Sequence, residues 1–174
     1  RIGNWEYNID TGRVWASEKV FELFALAPSA NSDIDINEFE ACMRDRERVR
    51  NELAELINND KPYNIEIEVN TPDGNPPRML HSIAHCVRDA NGRALRVTGI
   101  MQDITDRRHA ESVLERSEKL LRTTQQLTGI GSWEWDVNNQ TMFWTEETYR
   151  IHEIDRAGLH LGEESIARSL ECYR

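Results

Sequence analysis

The chain has 174 residues, with 21 Lys and Arg against 31 Asp and Glu, and a formal net charge of −10. That length suits one or two small domains. The acidic balance argues against nucleic acid and anionic membrane surfaces as partners, because both select a basic face, and no apolar run approaches the roughly 18 residues of a membrane span.

Trp5, Tyr7 and Ile9 alternate with Asn4, Glu6 and Asn8, the period-two pattern of a strand with one buried face. Thr11-Gly12 turns the chain, and Arg13-Val14-Trp15 returns as a short strand. Ser17 can cap a helix whose Val20, Phe21, Leu23 and Phe24 face inward, and Ala27-Pro28 ends it. Asp35 followed by Glu38 resembles a capping box ahead of Phe39 and Met43. A longer helix is expected from about Asp45 to Asn58, with Val49, Leu53, Leu56 and Ile57 on one side. The basic stretch Arg44 to Arg50 is interrupted by Asp45 and Glu47 and reads as a solvated helix face. Three strands follow: Tyr63 to Val69, Arg78 to Arg88, and Arg93 to Gln102, the last two joined by the hairpin loop Asp89-Ala90-Asn91-Gly92. Short antiparallel connections and segregated helices make the class α+β.

Asp103-Ile104-Thr105 ends the sheet, and Thr105 or Asp106 caps a charged helix that runs to about Thr128, where Gly129 stops it. Ala110, Val113, Ser117, Leu120, Thr124 and Leu127 follow alternating steps of three and four, a seam diluted by Ser117 and Thr124 and widened by Leu114 and Leu121. This helix either packs on its own domain or pairs with the same helix of a second chain.

The chain then begins again. Ile130-Gly131-Ser132-Trp133-Glu134-Trp135-Asp136-Val137 restates Ile2-Gly3-Asn4-Trp5-Glu6-Tyr7-Asn8-Ile9 at an offset of 128 residues, and the match continues without a gap through Leu26 and Ile154. Apolar positions kept at one spacing mean a folding unit used twice in tandem. The second copy is short, and a piece of that size without disulfide or metal is marginal alone. It is expected to fray, or to pack on another copy that covers Trp133, Trp135 and Phe143. The chain shows no signal peptide but opens immediately before a strand, so it reads as a piece of a longer protein.

Side chains that carry chemistry are few. Cys42, Cys86 and Cys172 are odd in number and lack a Cys-x-x-Cys spacing, which favours free thiols in a reducing, cytoplasmic setting. His81 and His85 share one strand face. They form either a two-imidazole site that lacks a visible third ligand or a plain polar face. His109 and His152 lack the context of a phosphoacceptor. No glycine-rich phosphate loop, Ser-His-Asp set or activated cysteine is present, so catalysis by this segment is not expected.

The Gly-x-Trp-Glu opening, Asp73-Gly74, Val87-Arg88-Asp89, Asn91-Gly92-Arg93, Gly99-Ile100 and the run from Gln102 through Arg108 to Ala110-Glu111 together resemble the PAS/PAC sensor domains of bacterial signalling proteins. The resemblance covers residues 2 to about 128 in full and the opening of a second copy. It implies a five-stranded antiparallel sheet flanked by short helices over 1–105, a connector helix over 106–128, and a truncated second domain over 129–174. Cys42-Met43-Arg44-Asp45 departs from the His-Pro-x-Asp found in many relatives. No cysteine has the context of a flavin adduct, and the long helix lacks the histidine of haem-binding relatives. The cofactor therefore stays open, with a small-molecule ligand possible.

What the resemblance implies for function is a sensory or relay module upstream of a histidine kinase, with a diguanylate cyclase as the second choice of output domain in the same chain. The rival reading is a dimerising spacer that binds nothing small. In the relay reading, Asp103, Ile104, Thr105 and Arg108 form the junction that carries a change into the helix. Trp5, Tyr7, Trp15, Phe24, Leu53, Ile57, Ile83 and Val97 line the pocket. Ala110, Val113, Leu114, Leu120, Leu121 and Leu127 pair two copies into a homodimer.

Overall fold

The computed structural model describes residues 2–28, 31–139 and 141–154. The chain separates into two compact units, Arg1–Glu111 and Ser112–Arg174. The first is built on one antiparallel sheet. Its strands are β1 (Ile2–Asn8), β2 (Arg13–Ala16), β3 (Asp33–Asp35), β4 (Tyr63–Val69), β5 (Arg78–Arg88) and β6 (Ala94–Asp103), in the spatial order β3-β2-β1-β6-β5-β4. β1 and β6 pair antiparallel from Ile2↔Gln102 to Asn8↔Arg96, so the start and end of the unit meet at the sheet centre.

Three helices, α1 (Glu18–Phe24), α2 (Ile36–Ala41) and α3 (Arg46–Asn59), cover one face. Their apolar sides and the inward strand positions form a single core that includes Trp5, Val14, Phe24, Phe39, Leu56, Ile67, Leu80, Val97 and Met101. Phe24 stacks on Phe39 with centroids 4.2 Å apart. Burying side chains of this size contributes about 1.5–3 kcal/mol each, and that apolar burial is what holds the helices on the sheet. The buried Ser82 hydroxyl is matched: Trp5 Nε1 donates to Ser82 Oγ at 3.2 Å, and Ser82 Oγ donates to the Ile100 carbonyl. Burial raises the Tyr63 hydroxyl pKa, so this core tyrosine stays neutral.

Four expectations need correction. The sheet has six strands, because Asp33-Ile34-Asp35 pairs with β2. Only Ile34 of the three is buried, so one apolar residue between two acids carries no strand pattern of its own. Asp35 does cap α2, but it accepts from the Asn37 N–H at 2.8 Å, so this is not a capping box with Glu38. Trp15 (44% exposed) and Ile83 (42% exposed) lie on the sheet face away from the helices. Val14 and Ala16 are the inward residues of β2, as Ser82 and Ala84 are of β5. Asp103, and neither Thr105 nor Asp106, satisfies the first N–H of the connector helix α4 (Thr105–Thr128).

Arg44, Arg48 and Arg50 are all paired. Arg44 bonds Glu68, Arg48 bonds Asp45 and the Glu66 carbonyl, and Arg50 bonds Glu40 and Asn37. Arg48 and Arg50 belong to α3 and Arg44 to the turn before it, and all three are solvated and paired.

The second unit contains β7 (Trp133–Asp136), β8 (Thr141–Trp144) and α5 (Glu146–Ile151). It repeats the first in detail. The Asn4 N–H donates to Ser17 Oγ at 3.0 Å, and the Ser17 N–H donates to the Asn4 carbonyl at 2.9 Å. Ser132 and Thr145 exchange the same two bonds, each at 2.9 Å. A Cβ on Gly3 would strike Val20, and one on Gly131 would strike Thr148 at the corresponding place. Ala25 and Glu153 both end their helices with positive φ. The pair Lys19–Glu22 reappears with its charges exchanged as Glu147–Arg150, with Glu147 buried. A sequence match that reproduces bonds, steric contacts and a strained cap marks the same local fold. Trp133 (57% exposed), Trp135 and Phe143 are exposed in this chain. Cys172 lies outside the described residues.

Candidate functional site

The junction is assembled from the ends of two neighbouring strands and the first turn of α4. Asp103 Oδ1 accepts from the Thr105 N–H at 3.0 Å and from Thr105 Oγ1 at 2.6 Å. The same hydroxyl oxygen accepts from the Met79 N–H at 3.0 Å, and the Ile104 N–H donates to the Met79 carbonyl at 2.9 Å. Ile104 is buried between these bonds. The Thr105 hydroxyl therefore ties β5, β6 and α4 together through one atom.

A second tie lies one turn along. Arg108 Nε donates to Glu66 Oε2 at 2.7 Å, and Arg107 approaches the other oxygen at 3.8 Å. The hydrogen bond to Glu66 raises the Arg108 pKa further, so its charge is fixed. The Glu66 carbonyl also accepts from Arg48 Nη2 of α3 at 2.7 Å. Glu66 thus connects α3 and α4 across β4. Asp103, Ile104, Thr105 and Arg108, named from the sequence, share one short segment; Met79 and Glu66, which strand pairing brings against them, were not named. Glu66 showed only as an outward acid in an alternating strand.

The pocket residues divide. Trp5, Phe24 and Val97 are buried in the core, with Tyr7, Leu53 and Ile57 packed against it. Trp15 and Ile83 instead line a shallow concavity of about 540 Å³ on the outer sheet face, with His85 and Ile100. A smaller concavity of about 410 Å³ lies at the junction, lined by Pro76, Pro77, Arg78, Asp103, Thr105 and Asp106 among others. The two strand histidines have cross-strand partners: His81 Nε2 is 2.6 Å from Asn64 Oδ1, and His85 Nε2 is 3.0 Å from Thr98 Oγ1. Among the described residues, no cluster of three His, Cys, Asp or Glu side chains could hold a metal ion. Burial raises the Cys42 pKa, which keeps it a thiol.

On α4, Val113, Leu114, Leu120, Leu121 and Leu127 are all exposed. Thr124 Oγ1 donates to the Leu120 carbonyl at 2.9 Å. The seam threonine therefore satisfies its hydroxyl on its own helix. No helix among the described residues is long and apolar enough to cross a membrane.

Residues 42–101 match a family model described as the PAS fold. The N-terminal unit has a PAS-like fold. Its architecture is similar to that of a sensory box histidine kinase/response regulator from Burkholderia thailandensis, with 25% identity and a TM-score of 0.59 over 70% of this chain and 91% of that one. It is also similar to the N-terminal domain of a diguanylate cyclase with PAS/PAC sensor from Marinobacter aquaeolei, at 20% identity and a TM-score of 0.55 over 63% and 100% of the two chains. A probable diguanylate cyclase from Escherichia coli is 22% identical over 130 residues, which is 75% of this chain but 11% of that relative. The same fold is thus carried by these kinase and cyclase proteins.

Proposed function

We propose that this PAS domain is the sensory or relay module of a multidomain signalling protein. A change in its interior, brought about by a small ligand or a partner, passes through Asp103, Ile104 and Thr105 into α4, and a second copy's α4 lies alongside. The bonding of Thr105 carries this reading. Its hydroxyl is shared between the end of β6 and the start of β5, so a relative shift of those strands must reorient the first turn of α4. The buried Ile104 gives that turn an apolar anchor. Coupling in the strict sense requires that both ends bias one two-state element. The exposed stripe on α4 supplies one, since a seam diluted by Ser117 and Thr124 weakly prefers any single register.

A histidine kinase is the favoured output domain. A diguanylate cyclase is the second reading, supported by the Escherichia coli relative and the Marinobacter domain. The decisive experiment uses the full-length parent protein. Asp103→Ala and Thr105→Ala are each expected to leave the domain folded and to abolish the response of output activity to the stimulus. Normal switching in both variants would end the relay reading.

A further inference from the structure

We propose that Arg78 couples the end of α1 to the root of α4, so that the helix layer, as well as the sheet, drives the junction. The proposal deepens the relay reading and rests on it. α1 is seven residues long and carries no basic residue in its last turn. The exposed carbonyls at a helix C-terminus carry partial negative charge and favour a nearby cation. Arg78 supplies that cation from a distant part of the chain. Its Nη1 donates to the Glu22 carbonyl and, at 2.8 Å, to the Leu23 carbonyl 55 residues away.

Arg78 is also the first residue of β5. Pro76 and Pro77 precede it, and their fixed φ limits the slack on that side. The next residue, Met79, makes both hydrogen bonds that hold Ile104 and Thr105. One peptide bond therefore separates the clamp on α1 from the clamp on α4. At the far end, Leu23 and Phe24 belong to the same last turn of α1 and are fully buried. A change in core packing that moves this turn pulls on Arg78, and through its backbone on Met79. The junction concavity borders Arg78 and Thr105 and gives the guanidinium room to shift.

The test is amide-resolved hydrogen exchange on the chain carrying Arg78→Ala, Arg78→Lys or Thr105→Val. Loss of a cation at a helix C-terminus should raise exchange about fivefold. Arg78→Ala is expected to do so at Ala25 and Leu26, which bond the Glu22 and Phe21 carbonyls, and by a similar factor at Ile104 and Arg108, which bond the Met79 and Ile104 carbonyls. Arg78→Lys keeps the charge but loses the guanidinium nitrogen that bonds both carbonyls, so it should give a smaller change at both places. If Arg78→Ala unfolds the domain, the lysine variant decides. Thr105→Val must loosen Ala25 and Leu26 in return, because coupling is reciprocal. Faster exchange confined to α1, or no return effect from Thr105→Val, would reduce Arg78 to a local cap and overturn the proposal. Uncoupled exchange in a protein whose switch fails with Asp103→Ala overturns Arg78 alone. Normal switching in both Asp103→Ala and Thr105→Ala overturns the relay beneath it.

Discussion

Gly99 sits where a backbone and an indole compete for one volume. It pairs with Trp5 across β1 and β6. A Cβ there would lie 2.7 Å from Trp5 Cε2 and 2.7 Å from the Ile83 carbonyl oxygen. The indole cannot simply tilt away, because its N–H is bonded to Ser82 and its ring meets Tyr63 edge-on at 6.1 Å. Overpacking of this kind costs about 1–3 kcal/mol. Gly99→Ala should therefore lower the urea midpoint without changing the slope, and an unchanged midpoint would show that the sheet absorbs the methyl. The period-two pattern revealed that Trp5 faces inward. It misplaced Trp15, because alternation separates two faces without saying which is covered. The large aromatic of β2 outweighed Val14 and Ala16, the small residues that fit under α1. The need for glycine opposite Trp5 could not be read at all, since 94 positions separate two residues that only the sheet register brings together.

At the scale of elements, the caps were partly legible and the cross-strand ties were not. Asp45 and Asp35 announced helix starts by type and position, and both accept backbone N–H bonds. Asp35 also belongs to β3, a strand set by pairing with β2 and by no local preference. Its cap has a definite acid response. The bond from the Asn37 N–H, assisted by the Asn37 side chain, holds the Asp35 carboxyl below its ordinary value of 3.8. A depressed folded-state pKa stabilises the start of α2 fully above the unfolded carboxylate pKa, and that support is lost as pH falls through the lower folded value. The Asn37 amide proton, followed by NMR against pH, should titrate with a midpoint below 3.8. A midpoint at or above that value would show that the cap does not select the ionised form. The charge pair Glu66–Arg108 illustrates the other limit. Each partner was visible as a charged residue, but only the fold puts the outward face of β4 beside the first turn of α4.

At the scale of the whole molecule, the question is what a 24-residue helix with no buried residue is for. A helix of that length extends about 36 Å. Its five large apolar side chains lie at heptad-like steps and are exposed, Leu127 at 83%. Scattered exposed apolar residues need no account, but a continuous stripe on one helix face marks an association surface. The proposed partner is a second copy of α4, since like seams are self-complementary in parallel pairing. The three threonine hydroxyls of its C-terminal half, on Thr123, Thr124 and Thr128, bond backward to their own helix, so burying the stripe there leaves no threonine hydroxyl unsatisfied. The seam is short, so the proposed pair would be weak and readily shifted, as the proposed relay requires. Sedimentation equilibrium should therefore find a concentration-dependent dimer for the chain. Leu120→Asp would place two carboxylates at the centre of the interface and should leave a monomer whose near-ultraviolet circular dichroism is unchanged. A dimer that survives this substitution would place the contact elsewhere, and a parent chain that stays monomeric through the micromolar range would remove the paired helix from the mechanism.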